Sequence, residues 1–176
     1  MNEYIYLVVA PSGTGKTTIV EYLENKYGLK SIPSYTTRLP RHEGERGHTF
    51  VSQGEFNALK DMVAYTYFDN HEYCATAEQV EKNQFYVIDP DGIEFFKEKY
   101  HGNKTPIVVY LYADSVTRSQ RMRGRGDEEK DVMQRLENDL VKFKNIEYDI
   151  KIDTENKSIE EVAEELYDYI DAVNDL

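Results

Sequence analysis

Apolar positions along the chain come in two kinds of run. Residues 4–10 (YIYLVVA) are continuously apolar and β-rich, the pattern of a strand buried on both faces. Phe85–Ile88 and Ile107–Tyr112 read the same way, and a shorter alternating run at Tyr148–Ile152 predicts a fourth strand. Between and after them the period changes to that of a helix. Lys16–Lys26 carries Ile19, Val20 and Leu23 on one face and stops at Gly28; Gly92–Tyr100, Val116–Arg123, Glu128–Lys144 and Ile159–Val173 follow. The last opens on Ser158 and Glu161 at capping-box spacing and places Ile159, Val162, Ala163, Leu166 and Ile170 on one stripe. Strands alternating with helices predict an α/β fold, a parallel sheet with helices on both faces. Residues 31–76 break the pattern. They are polar, rich in Thr and Tyr, with short alternating pieces at His48–Val51 and Val63–Phe68, which predicts a small inserted subdomain of short strands. No repeat or low-complexity stretch interrupts the chain.

The loop between the first strand and the first helix carries the clearest chemistry. Residues 10–18 read APSGTGKTT, a P-loop spacing in the strand–loop–helix context it requires, with Ala10 where the strict pattern has Gly. Gly13 and Gly15 let the backbone wrap so that N–H groups of Ser12, Gly13, Thr14, Gly15, Lys16, Thr17 and Thr18 face phosphate oxygens, and the helix N-terminus adds its partial positive charge. Lys16 supplies a full charge to the β- and γ-phosphates, and the Thr17 hydroxyl is a ligand for Mg²⁺. These residues predict a bound phosphate chain, with Mg²⁺.

Composition sharpens this expectation. With 33 acidic against 21 basic residues the net charge is -12, which disfavours nucleic-acid polymers and anionic membranes as partners. A phosphate partner therefore needs a local positive cluster. All eight arginines fall within residues 38–46 and 118–135, whereas the lysines are scattered. Arginine grips phosphate bidentately and stays charged. Two arginine foci predict two places where phosphate is held, the second on a helix–loop–helix whose RGRG at 123–126 suits a hinged loop. The ordinary alternative is a solvated face with ion pairs to Glu128 and Glu129. The single cysteine, Cys74, excludes an internal disulfide and does not suggest secretion, and no run is long enough to span a membrane; a cytoplasmic location is expected. The four histidines show no metal-ligand spacing.

Taken together these motifs resemble the guanylate kinase family over nearly the whole chain. PSGTGKT at 11–17 resembles its P-loop, and SYTTRLPR at 34–41 its acceptor-phosphate segment. ERGHTFVS at 45–52 with Glu55 and Phe56, EYCAT at 72–76, IDPDG at 88–92, and RMRGRG at 121–126 with Arg135 and Leu136 follow in the family's order. The resemblance implies a P-loop core (residues 1–30, 77–115 and 145–176), a nucleoside-monophosphate-binding insertion (31–76) and a helical lid (116–144). It implies transfer of the γ-phosphoryl group of ATP to a nucleoside monophosphate, GMP or dGMP first, with Mg²⁺. Carried over, Arg38, Arg41, Tyr73 and His48 hold the acceptor phosphate, and Ser34 and Thr76 lie near its base. Asp89 orients the acceptor or a metal-bound water, and Lys16, Arg125 and Arg135 stabilise the transferring group. His48 stands where the family has Tyr. The family's guanine-reading Glu falls at Ala64, its guanine-side Ser or Thr at Ala75, and an acidic position at Val87, with Tyr65, Thr66, Asp69 or Glu72 as replacements after a one-residue shift. That altered pocket leaves two alternatives: a kinase for another small phosphorylated acceptor, such as a different monophosphate or a phosphosugar, or a non-catalytic phosphopeptide-binding module.

Overall fold

A computed structural model describes residues 3–175. In chain order the elements are β1 (Tyr4–Val9), α1 (Lys16–Tyr27), β2 (Ser34–Thr36), β3 (His48–Phe50), α2 (Gln53–Asn57), β4 (Met62–Phe68), β5 (His71–Thr76) and α3 (Ala77–Lys82). There follow β6 (Phe85–Val87), α4 (Pro90–Lys99), β7 (Thr105–Tyr112), α5 (Ser115–Gly124), α6 (Glu129–Lys142), β8 (Ile150–Asp153) and α7 (Ile159–Asn174). The parallel sheet runs β6-β1-β7-β8. The inserted region forms a second sheet, β3-β2-β5-β4, in which β2 and β3 are parallel and the other pairs antiparallel.

Strand β1 shows why a continuous apolar run is needed here. Ile5, Leu7 and Val9 enter one core cluster, with Ile93 and Phe96 of α4 and Tyr110 of β7. Tyr6 and Val8 enter the other, with Ile19 and Leu23 of α1 and Val162 and Leu166 of α7. Successive side chains of a strand point to opposite faces, so a strand between two helical layers needs apolar residues at every position. Each fully buried side chain of this kind contributes roughly 1.5–3 kcal/mol relative to exposure.

The long helices match the expected ones, with ends decided by caps. Gly28 adopts φ 69° after α1, the left-handed stop that glycine takes most cheaply. The capping box at Ser158 and Glu161 is formed. Helix α4 starts two residues earlier than its apolar spacing suggests, because Pro90 occupies the first turn, where a missing N–H costs nothing. The fourth strand begins at Ile150 rather than Tyr148. Four elements escaped the apolar pattern: α2 and α3, each one short turn closed by a capping box, the three-residue β2, and β5, whose residues 71–76 (HEYCAT) lack alternation.

The RGRG segment differs from the expected hinged loop. Gly126 has φ 96°, Gly126 N–H donates to Arg123 O at 3.0 Å, and Asp127 N–H donates to Met122 O at 3.1 Å. This paired pattern is a helix-terminating Schellman turn, so the glycine ends α5 in a fixed geometry and turns the chain into α6.

Candidate active site

The P-loop occupies the turn from β1 to α1, at the C-terminal edge of the parallel sheet, where ligands of open α/β sheets bind. Gly13 (φ 80°) and Gly15 (φ 95°) both take left-handed backbone, and a Cβ at Gly13 would lie 2.7 Å from the carbonyl oxygen of Arg118. Glycine is thus required at position 13 twice over, by conformation and by contact. Helix α1 has no side-chain N-cap, so the amides of its first turn remain for an anion. Thr17 and Thr18 are exposed there. The Lys16 ammonium donates to Ala10 O at 3.2 Å. Burial pushes its pKa down, while the carboxylates of Asp89 and Asp139 oppose that shift.

Two of the expected phosphate donors are otherwise engaged. Ser12 N–H donates to Asp139 Oδ2 at 2.9 Å, and both the amide and the hydroxyl of Thr14 donate to Pro11 O (3.3 and 2.7 Å). Thr14 is buried, so it braces the loop from within.

The acceptor side is a cleft of about 600 Å³. Ser34, Arg38, Arg41, His48 and Tyr73 all line it, and so does Thr17 of the P-loop. The insertion thus brings the first arginine focus onto the same cavity as the phosphate loop. Arg38 is paired with Glu45: its two terminal nitrogens donate to the carboxylate at 2.7 and 3.2 Å, and Arg41 N–H donates to Glu45 at 2.6 Å. The Arg38 guanidinium and the Arg41 amide hold the Glu45 carboxyl at a pKa of about 2. Arg38 Nε is buried and has no hydrogen-bond acceptor among the described residues, which leaves a donor for an incoming oxyanion. His48 Nδ1 lies 3.0 Å from Ser34 Oγ, and its ring meets Tyr73 edge-on at 5.5 Å. Burial, then the nearby Arg38 charge, pushes the His48 pKa below its usual value, so the ring is neutral at pH 7.

Two expected acceptor residues stand elsewhere. Thr76 does not line the cleft; it is buried, and its hydroxyl caps α3 by accepting from Gln79 N–H. Asp89 also lies off the cleft wall. It precedes α4 without a side-chain capping bond, and its charge acts on Lys16. Ala64 and Ala75 are cross-strand partners, both buried and neither on the cleft. Tyr65, Thr66, Asp69 and Glu72 do not line it either; Tyr65 instead donates to Glu72 at 2.8 Å. The cleft carboxylates are Glu21, Glu24 and Glu45, and its apolar wall includes Val20, Ile32 and Tyr86, none of which the sequence marked as a site residue.

On the α5–α6 hairpin, Arg125 and Arg135 converge on Asp127, at 2.7 and 3.4 Å. Arg123 forms the surface ion pair expected of a solvated face, with Glu129 at 2.7 Å. Arg125 also borders a second cavity of about 330 Å³ that is lined by Gly13, Thr14, Gly15, Arg121, Thr154 and Lys157 among others and shares no residue with the cleft. Two residues that the sequence did not mark, Asp139 and Thr154, thus touch the phosphate machinery. Cys74 is buried, its thiol pushed up to about 12 by burial, and it has no catalytic setting. Among the described residues there is no cluster of three metal-ligating side chains, and no helix is long and apolar enough to cross a membrane.

A phosphate loop and an arginine-lined cleft meeting at Thr17 define a P-loop kinase of the nucleoside-monophosphate type. The sequence model of the guanylate kinase family matches residues 2–173, and the chain belongs to that family. A guanylate kinase from Fusobacterium nucleatum is 27% identical, with 95% of each chain covered. One from Porphyromonas gingivalis is 28% identical over 76% of this chain and 78% of its own. The fold is shared with the crystal structure of guanylate kinase from Anaplasma phagocytophilum, with a TM-score of 0.60, 23% identity, and 98% and 87% of the two chains covered.

Proposed function

We propose that this protein transfers the γ-phosphoryl group of ATP to GMP. The observation that carries the reading is the common cavity: Thr17, at the start of the P-loop helix, lines the same cleft as Arg38 and Arg41. Two anions held in this way meet end to end, and positioning plus charge neutralisation is what phosphoryl transfer demands of a protein. Lys16 and the free amides of the P-loop would hold the β- and γ-phosphates. Arg38, Arg41, Tyr73 and neutral His48 would hold the acceptor phosphate, with Ser34 toward the base. The acceptor oxygen is already ionised, so no general base is required, and none is placed here. Arg125 and Arg135, held together by Asp127, would swing onto the transferring group and spread its charge.

The donor set suits Mg²⁺, which keeps several waters and needs only one or two protein oxygens beside the nucleotide phosphates. The exposed Thr17 hydroxyl would be its protein ligand, and Asp89, free of capping duty, would accept from a metal-bound water. When bound, the ion neutralises phosphate charge. The relatives described above are guanylate kinases, which supports neither a phosphosugar acceptor nor a phosphopeptide module.

The test is ADP release in a coupled assay with GMP, dGMP, AMP, dTMP, CMP and UMP. Turnover saturating with GMP and absent in Lys16→Ala is expected. Equal, negligible turnover with all six would end the proposal.

A further inference from the structure

We infer that Asp139 is a positioning residue that, with Arg118, locks the P-loop onto the base of the lid hairpin. The inference rests on the reading that the P-loop holds ATP. Three consecutive loop residues are held from the α5–α6 hairpin. Ser12 N–H donates to Asp139 Oδ2 at 2.9 Å, and Ser12 O accepts from Arg118 Nη1 at 3.3 Å. Gly13 packs against the Arg118 carbonyl, closely enough that no Cβ fits. Thr14 O accepts from Arg121 Nη1 at 3.2 Å, and Arg121 itself is fixed by two bonds to Thr154 at 2.9 Å. The Asp139–Arg118 ion pair closes the arrangement at 3.1 Å with side chains only 11% and 7% exposed, and Arg118 Nε donates to Ala113 O.

Both main-chain polar groups of Ser12 are therefore fixed by charged partners, which sets the peptide planes that lead into the amides proposed to bind phosphate. A buried ion pair is a poor source of stability, since apolar residues of similar size usually replace it without loss. What such residues cannot do is accept from Ser12 N–H and donate to Ser12 O. Asp139 is also one helical turn beyond Arg135 on α6, so the same contact sets where that helix presents Arg135.

The test compares Asp139→Ala, Asp139→Asn and the double variant Arg118→Met/Asp139→Leu. The readouts are Tm, ATP affinity by calorimetry, and KM for ATP and for GMP. Asp139→Ala strands the Arg118 charge and lowers both Tm and ATP affinity. The double variant regains the Tm, yet its ATP Kd and KM stay raised about tenfold or more, from the loss of both charge-assisted hydrogen bonds to Ser12, while KM for GMP stays within about twofold. Asp139→Asn, which keeps an acceptor for Ser12, regains part of the affinity. A double variant that binds ATP as tightly as the wild type would overturn the inference and leave the functional reading standing. A wild-type chain that binds no ATP would instead overturn the functional reading, and this inference with it.

Discussion

The two halves of the proposed site present positive charge by different means. On the donor side, charge comes from main-chain amides and one lysine, and the loop is braced by Thr14 within it and by Asp139, Arg118 and Arg121 from outside. On the acceptor side, it comes from guanidinium groups on an inserted sheet, and the foremost of them, Arg38, is already paired with a carboxylate of its own loop. The donor half is thus a rigid cradle. In the acceptor half, an incoming phosphate must share Arg38 with Glu45 or displace it. Amides of a fixed loop cannot relax onto one another, whereas arginine side chains near the surface of a net-acidic chain find partners whenever substrate is absent.

The largest expected effect breaks the donor half. Lys16→Ala should reduce kcat by about a thousandfold or more without lowering Tm, because Lys16 is a desolvated charge whose removal costs the fold little. Turnover and a thermal melt on one preparation check this. Next, Arg38→Ala should raise KM for GMP by roughly ten- to a hundredfold while KM for ATP stays unchanged, if the halves act separately. Equal changes in both constants would erase the distinction drawn above.

His48 gives a smaller effect. Because its ring is neutral at pH 7, it contributes a hydrogen bond and no ion pair. His48→Phe should raise KM for GMP about fivefold, with no change in how KM varies between pH 7 and 9.

Glu45 sharpens the comparison through acid stability. Arg38 and the Arg41 amide hold its carboxyl at a pKa of about 2 in the fold, well below the ordinary glutamate value of 4.5, so the unfolded chain binds the extra proton first. Its contribution is present above about pH 4.5 and is lost as pH falls through about 2. In Glu45→Gln the fall in Tm across that window should be shallower than in the wild type, as followed by circular dichroism. The smallest effect belongs to neither half: Gly28→Ala, at φ 69°, should cost roughly 1 kcal/mol in denaturant unfolding and leave kinetics unchanged.

How much of this was legible in the chain depended on distance along it. The strand–loop–helix of residues 4–27 could be read directly, since glycine spacing, lysine and helix start are local requirements. The acceptor arginines were legible as a cluster but not as a pair with Glu45, since whether Arg38 meets that carboxylate depends on how the loop between β2 and β3 turns back. Thr76 was misplaced because a hydroxyl preceding a short helix serves equally as a cap, and nothing local distinguishes the two uses. Asp139 carried no signal at all: it lies 127 residues from Ser12 and reads as one more acid on a charged helix.

By itself the sequence determined the layered core, the long helices and the phosphate loop, because burial period and backbone conformation are properties of neighbouring residues. The tertiary structure alone decided which carboxylates meet which arginines, that Ala64 and Ala75 pair across β4 and β5 rather than line the cleft, and that the α5–α6 hairpin grips the P-loop. Those are choices among many chemically equivalent partners, and only packing in three dimensions selects one.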